Sequence, residues 1–179
     1  MIISENREKI SRFRQGFAKS SYVNCWHMLE HENAAMWERY SKDGAPGEAI
    51  VIRTSYARLK SVIPPFAYIG MVRYLDWATD RLPQNMLEGV MHKRREYIDE
   101  REVRIVTLQM TLPGYDGVSN PDGVVAGGYL APIDPVVLIP EIRLHPDSSP
   151  AFAERVREFC TAHALPAPVP SELAGDPTY

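Results

Sequence analysis

At 179 residues, with 45% hydrophobic and 24% charged residues, the chain is long enough to bury a core and too apolar to be disordered. Its net charge of −3, with bases interleaved among acids, offers no long-range attraction to nucleic acid or to an acidic membrane. No apolar run approaches the roughly 20 residues of a membrane span, residues 1–9 lack the apolar stretch of a secretion signal, and Cys25 and Cys160 lack metal or disulfide spacing. The cytoplasm is therefore the expected compartment.

In chain order, residues 4–20 carry Ile10, Phe13 and Phe17 at helical spacing and predict a surface helix. Residues 22–28, rich in aromatic and β-branched side chains, predict a buried strand. A helix is expected from Glu32 to the Lys42-Asp43-Gly44 stop, and residues 48–55 form a second strand. Ser55 or Thr54 then caps a short helix that Pro64-Pro65 ends. Residues 68–75 alternate as a third strand. Met86, Val90 and Met91 predict a helix over 82–99, with Lys93, Arg94 and Arg95 at its cation-favouring end. Residues 101–110 form a strand, and the glycine-rich 113–128 a long connection. Strands follow at 129–133 and 136–144. Pro150 opens an amphipathic helix to residue 162, with Phe152, Val156, Phe159 and Cys160 inward. The proline-rich tail, 164–179, is expected to pack loosely or to extend. The predicted fold is α+β, one domain over 1–179, with a mixed sheet of about six strands and three or four helices.

Two islands stand out. Cys25-Trp26-His27 and Met36-Trp37-Glu38-Arg39-Tyr40 crowd aromatic residues around a histidine. The run from Lys93 to Arg104 holds four acids and five bases and leads straight into an apolar strand. Glu100 and Glu102, two apart at a strand entrance, share a face. Two carboxylates so placed repel unless cations or separate roles relieve them. One reading pairs them with Lys93, Arg94, Arg101 or Arg104 in a structural ion lattice. The other makes them a site, one carboxylate holding a ribose hydroxyl and the other acting on the acceptor. A third gathers Asp76 or Glu88 with Glu96, Glu100, Glu102 and Lys93 around magnesium, as in a nuclease. Cys25 is expected to be a buried inert thiol. Tyr40 shares a helix face with Trp37 and keeps a polar tip that can line a pocket.

The runs Tyr22-Val23-Asn24-Cys25-Trp26-His27, Met36-Trp37-Glu38-Arg39-Tyr40, Glu48-Ala49-Ile50-Val51-Ile52, Gly70-Met71-Val72-Arg73-Tyr74 and Ile142-Arg143-Leu144-His145-Pro146 carry a resemblance. With the run from Lys93 through Glu100, Glu102 and Arg104, and with Ser171, they resemble the bacterial and phage family known as domain of unknown function 2971. The likeness covers most of residues 20–173. It implies a shared fold neighbourhood; the family name itself carries no reaction. Members usually begin with an extra segment bearing an Asn-Asp-Pro motif, which does not appear here.

The order of candidate groups also resembles the ADP-ribosyltransferase fold, in which a first strand carries Arg or His, a second Ser-Thr-Ser or Tyr, and a third Glu-x-Glu. The matching residues are His27, then Thr54-Ser55 with Tyr56, then Glu100-x-Glu102. That resemblance implies an enzyme-like domain with an acidic and basic pocket for a nucleotide such as NAD. Glu102 would do the chemistry with Glu100 assisting, and His27, Tyr40, Ser55, Lys93 and Arg104 would bind ligand. The competing expectation is a non-catalytic ligand- or protein-binding module whose charges tie a helix to the sheet.

Overall fold

A computed structural model of the chain describes residues 16–17, 20–42, 44–76, 78–80, 87–108, 123–125 and 127–175. Its first elements are β1 (Ser21–His27), α1 (Ala34–Tyr40), β2 (Ile50–Arg53), α2 (Tyr56–Val62), β3 (Tyr68–Met71) and β4 (Arg73–Leu75). Then come α3 (Glu88–Met91), β5 (His92–Arg94), a 3-10 helix (Arg95–Glu100), β6 (Glu102–Leu108), β7 (Val124–Val125) and β8 (Gly128–Tyr129). The chain closes with α4 (Pro135–Leu138), β9 (Glu141–Leu144) and α5 (Pro150–Ala162). The α+β class stands. The helix expected over 4–20 and the connection over 113–128 fall largely outside the described residues.

The chain groups into two compact units, one of residues 1–28 with 64–131 and one of 29–63 with 132–179. Each joins two separate stretches, so no linker composition marks the division. The first unit is built on an antiparallel sheet in the order β1-β6-β3. Its central strand, β6, is rich in β-branched residues that suit a surface packed on two sides. Register places His27 opposite Glu102 and Cys25 opposite Arg104, with Gly70 opposite Arg104 on the other side. Val72, Leu75, Val103 and Val106 are buried in this unit.

In the second unit β2 pairs antiparallel with β9, setting Ile50 opposite Leu144 and Ile52 opposite Ile142. Asn33, Ser55 and Ser149 cap α1, α2 and α5, each side chain accepting a backbone N–H of the first turn. Thr54 Oγ1 donates to the Leu138 carbonyl (2.6 Å), and Arg58 reaches the Val137 carbonyl (2.8 Å), which fixes α2 against α4. Trp37, Leu59, Leu138, Ile142, Leu144 and Cys160 are its buried apolar residues among those described.

The single mixed sheet of about six strands is replaced by one three-stranded and three two-stranded sheets among the described residues. Local hydrogen bonds explain the breaks. The strand expected over 68–75 divides at Val72, whose N–H goes to the Glu102 carbonyl (2.9 Å); beyond it β4 pairs parallel with β5. That pairing also takes His92 to Arg94 out of the helix expected over 82–99. The start of the strand expected over 136–144 becomes α4, because the Asp134 carboxylate accepts the N–H groups of Val136 and Val137 and Pro135 suits a first helical turn. Phe159 faces solvent, stacked on His163 with ring centroids 4.4 Å apart, rather than inward. Within the described part of the tail, Val169 extends alongside β9 and bridges to it.

Candidate functional site

The first unit brings together five of the residues singled out from the sequence: His27, Lys93, Glu100, Glu102 and Arg104. The mechanism of convergence differs from simple strand alternation. Glu100 is the last residue of the 3-10 helix, and Arg101 follows in the left-handed region at φ 45° and ψ 53°. That reversal, and not a shared strand face, turns both carboxylates toward Lys93. The reversal is held from outside, since Met28 N–H donates to the Arg101 carbonyl (2.9 Å). His27 Nδ1–H donates to the Glu100 carbonyl (2.9 Å), which fixes its tautomer.

Lys93 reaches the network from β5 and not from a helix end. Its ammonium donates to Glu100 Oε2 and to Glu102 Oε1 (3.1 Å) and lies 4.9 Å from the centre of the Tyr97 ring. Arg104 meets the other oxygen of Glu102, with Nε at 2.7 Å and Nη2 at 2.6 Å, and spends Nη1 on the Val90 carbonyl of α3. Both oxygens of Glu102 are thus occupied. Its main chain is fixed as well, for its N–H donates to the Tyr74 hydroxyl (2.8 Å) and its carbonyl accepts from Val72. Gly70 leaves room on this face: a Cβ there would stand 3.1 Å from the Met91 methyl.

The side chains of Glu100 and Glu102 are 2% and 3% exposed, while Lys93 at 23% and Arg104 at 13% form the rim. Burial alone would raise the Glu102 carboxyl, but hydrogen bonds and charge from Lys93 and Arg104 outweigh it and hold it below its usual range. Burial likewise opposes the charge of Lys93, and its two carboxylate partners reverse the effect and raise it. Burial raises the Tyr74 hydroxyl, keeping it neutral as an acceptor. Two acids and two bases make a formally neutral set. No group of three His, Cys, Asp or Glu residues among the described ones stands ready to hold a metal ion. A cation at Glu102 would have to displace Lys93 or Arg104. Asp76, another of the acids considered for magnesium, accepts the Ala78 N–H in a local turn.

Tyr40 and Ser55 belong to the other unit. Tyr40 ends α1 with its side chain exposed, and the Ser55 hydroxyl caps α2 by accepting the Arg58 N–H (3.3 Å). Cys25 is exposed, not buried; Cys160 is the buried thiol. Partial desolvation on the β6 side raises the Cys25 thiol, and Arg104 only partly offsets this, so it is a weak nucleophile at neutral pH.

The second unit holds a network that pattern reading did not single out. Glu32, 9% exposed, accepts from Trp37 Nε1 (2.9 Å), Arg143 Nη1 (2.8 Å), the Glu172 N–H (2.9 Å) and the Ser171 hydroxyl. Burial works against its charge, but these donors prevail and bring its carboxyl down to about 2. Arg143 also pairs with Glu141 and with Glu172 (2.7 Å), and Arg53 adds looser contacts to both acids at 3.7 and 3.8 Å. One signal was present in the sequence: Arg143 stands between Ile142 and Leu144 in an apolar strand, and a charge there needs a partner.

No family model, curated protein or solved structure matches this chain. No helix among the described residues is long and apolar enough to cross a membrane.

Proposed function

We propose that the chain is a non-catalytic ligand- or protein-binding module, in which the Lys93–Glu100–Glu102–Arg104 network ties β5 and the 3-10 turn to the central sheet. The observation that carries this reading is the near-complete burial of both carboxylates with each oxygen of Glu102 held by a cation. A reacting carboxylate must meet substrate within hydrogen-bond reach; both oxygens of Glu102 are already engaged by Lys93 and Arg104. A binding role is supported by large apolar side chains left exposed in the same unit, among them Met71 on β3 and Tyr97 and Ile98 on the 3-10 turn.

The second reading keeps the ADP-ribosyltransferase-like pocket for a nucleotide such as NAD. It is supported by the gathering of His27, Lys93, Glu100, Glu102 and Arg104 in one unit, with the two cations at the rim where phosphate could reach them. Kinship with the domain of unknown function 2971 family is likewise a proposal, resting on the sequence runs given above. A cytoplasmic location is supported by two free thiols, one exposed.

A thermal-shift titration of the wild-type chain and Glu102→Gln with NAD, ADP-ribose, ATP and magnesium separates the two functions. The binding-module reading expects no saturable rise with any of the four and a variant less stable by about 1–3 kcal/mol, since neighbouring cations lose their partner. A saturable rise with NAD or ADP-ribose that vanishes in a variant of unchanged stability would instead establish the pocket, because a ligand bound only by the native state must stabilise it.

A further inference from the structure

The second unit contains an edge of sheet already occupied by the chain's own tail. β9 pairs with β2 along one side. Along the other it meets a single residue, Val169, which donates its N–H to the Ile142 carbonyl (2.9 Å) and accepts the Leu144 N–H (3.0 Å). Pro168 and Pro170 flank Val169 and have no N–H to give, so the pairing cannot lengthen or slip by a residue. Two residues further on, the Ser171 hydroxyl and the Glu172 N–H meet Glu32, and the Glu172 carboxylate meets Arg143. The Leu173 N–H folds back on the Ser171 hydroxyl (3.0 Å) and keeps this end compact.

Beyond these, Arg53 lies 3.8 Å from the Glu172 carboxylate and the Leu165 N–H donates to the Cys160 carbonyl (2.8 Å). Across residues 165–175 Ser171 alone is buried, and Val169 and Leu173 each remain 40% exposed. It is attached by polar contacts, as a bound peptide is, and not by a core side chain. The receiving side is assembled without it: of the four donors on Glu32, Trp37 and Arg143 come from the body of the unit, and only two come from the tail. The tail leaves α5 through Ala164, whose φ of 54° costs energy for any residue with a Cβ. That turn is closed by the end of the helix itself, through the same Leu165 N–H on the Cys160 carbonyl.

We propose that the outer edge of β9, with Glu32 and Arg143, is a receptor for an extended peptide, and that residues 165–174 occupy it as a self-bound strap. The ligand it fits pairs one residue with β9 between prolines, then presents a hydroxyl and an acid to Glu32 and Arg143. This is strand addition to a sheet edge, with side-chain contacts at one end setting the register.

The test uses a fluorescent peptide of residues 165–175 added to the full-length chain. In the wild type the strap holds the site, so the peptide binds weakly. In a full-length Val169→Pro/Ser171→Ala chain the strap is weakened while β9, Glu32 and Arg143 are untouched, and the peptide is expected to bind at least tenfold more tightly. Adding Glu32→Gln to that chain should abolish the gain. Amide exchange over α5, residues 150–162, reports whether the unit stays folded. Equal affinity for both chains would overturn the proposal. So would a collapse of α5 protection on weakening the strap, since the segment would then be a core element.

Discussion

The two ion networks use the same groups but distribute charge differently. In the first unit the acids are central and the bases form the rim, so Lys93 and Arg104 neutralise Glu100 and Glu102 from the rim inward. In the second, one acid and one base, Glu32 and Arg143, are shielded, while Glu141, Glu172 and Arg53 are 33%, 43% and 46% exposed and share their charge with water. The contrast teaches where a single substitution should hurt. A buried carboxylate stripped of its cation keeps its desolvation cost with nothing against it, whereas an exposed partner is replaced by solvent.

The sharpest way to break the comparison is to remove the base that bridges both buried acids. Lys93→Met should cost about 3–5 kcal/mol, because it leaves Glu100 without its ammonium and Glu102 with only Arg104. Urea unfolding measures it, and a loss as small as that of a rim residue would mean that water enters the network freely. A middle effect is expected at Glu32. Its carboxyl moves from an ordinary 4.5 to about 2 on folding, so the folded state is favoured by roughly 3 kcal/mol above pH 4.5, and that share fades as the pH falls toward 2. Acid unfolding of Glu32→Gln should lack this component. Lys93, raised on folding, acts in the opposite sense: its contribution is complete below 10.5 and is lost only as the pH rises through its folded value. The smallest effect belongs to Glu172→Gln, at no more than about 1 kcal/mol by urea unfolding, since its carboxylate is 43% exposed.

These networks mark how far sequence pattern reaches. The cap at Ser55 and the helix opened by Pro150 were legible because their signals are local, a hydroxyl three residues before the N–H it accepts and a proline in the first helical turn. The grouping of Lys93, Glu100, Glu102 and Arg104 was legible as well, since a dense run of both charges entering an apolar strand has few outcomes. How Lys93 gets there was not. Its strand has three residues and is defined by parallel pairing with Arg73 to Leu75 across some twenty positions, which no periodicity of three residues can announce. The same limit hid Tyr74, whose hydroxyl holds the Glu102 N–H, and the meeting of Glu32 with Ser171, which lie 139 positions apart. Ser55 followed the order of the ADP-ribosyltransferase motif and Tyr40 the spacing of a helix face, yet tertiary structure placed both in the unit that lacks the two carboxylates.

The most direct test of the structural role assigned to Glu102 is a double-mutant cycle on Lys93→Met and Glu102→Gln, followed by urea unfolding. Coupling above about 1 kcal/mol, with the double variant less harmed than the two single losses combined, is the expected result for charges that exist to neutralise one another. Independent losses, with Glu102→Gln alone leaving stability unchanged, would contradict it and return Glu102 to the role of a reacting group.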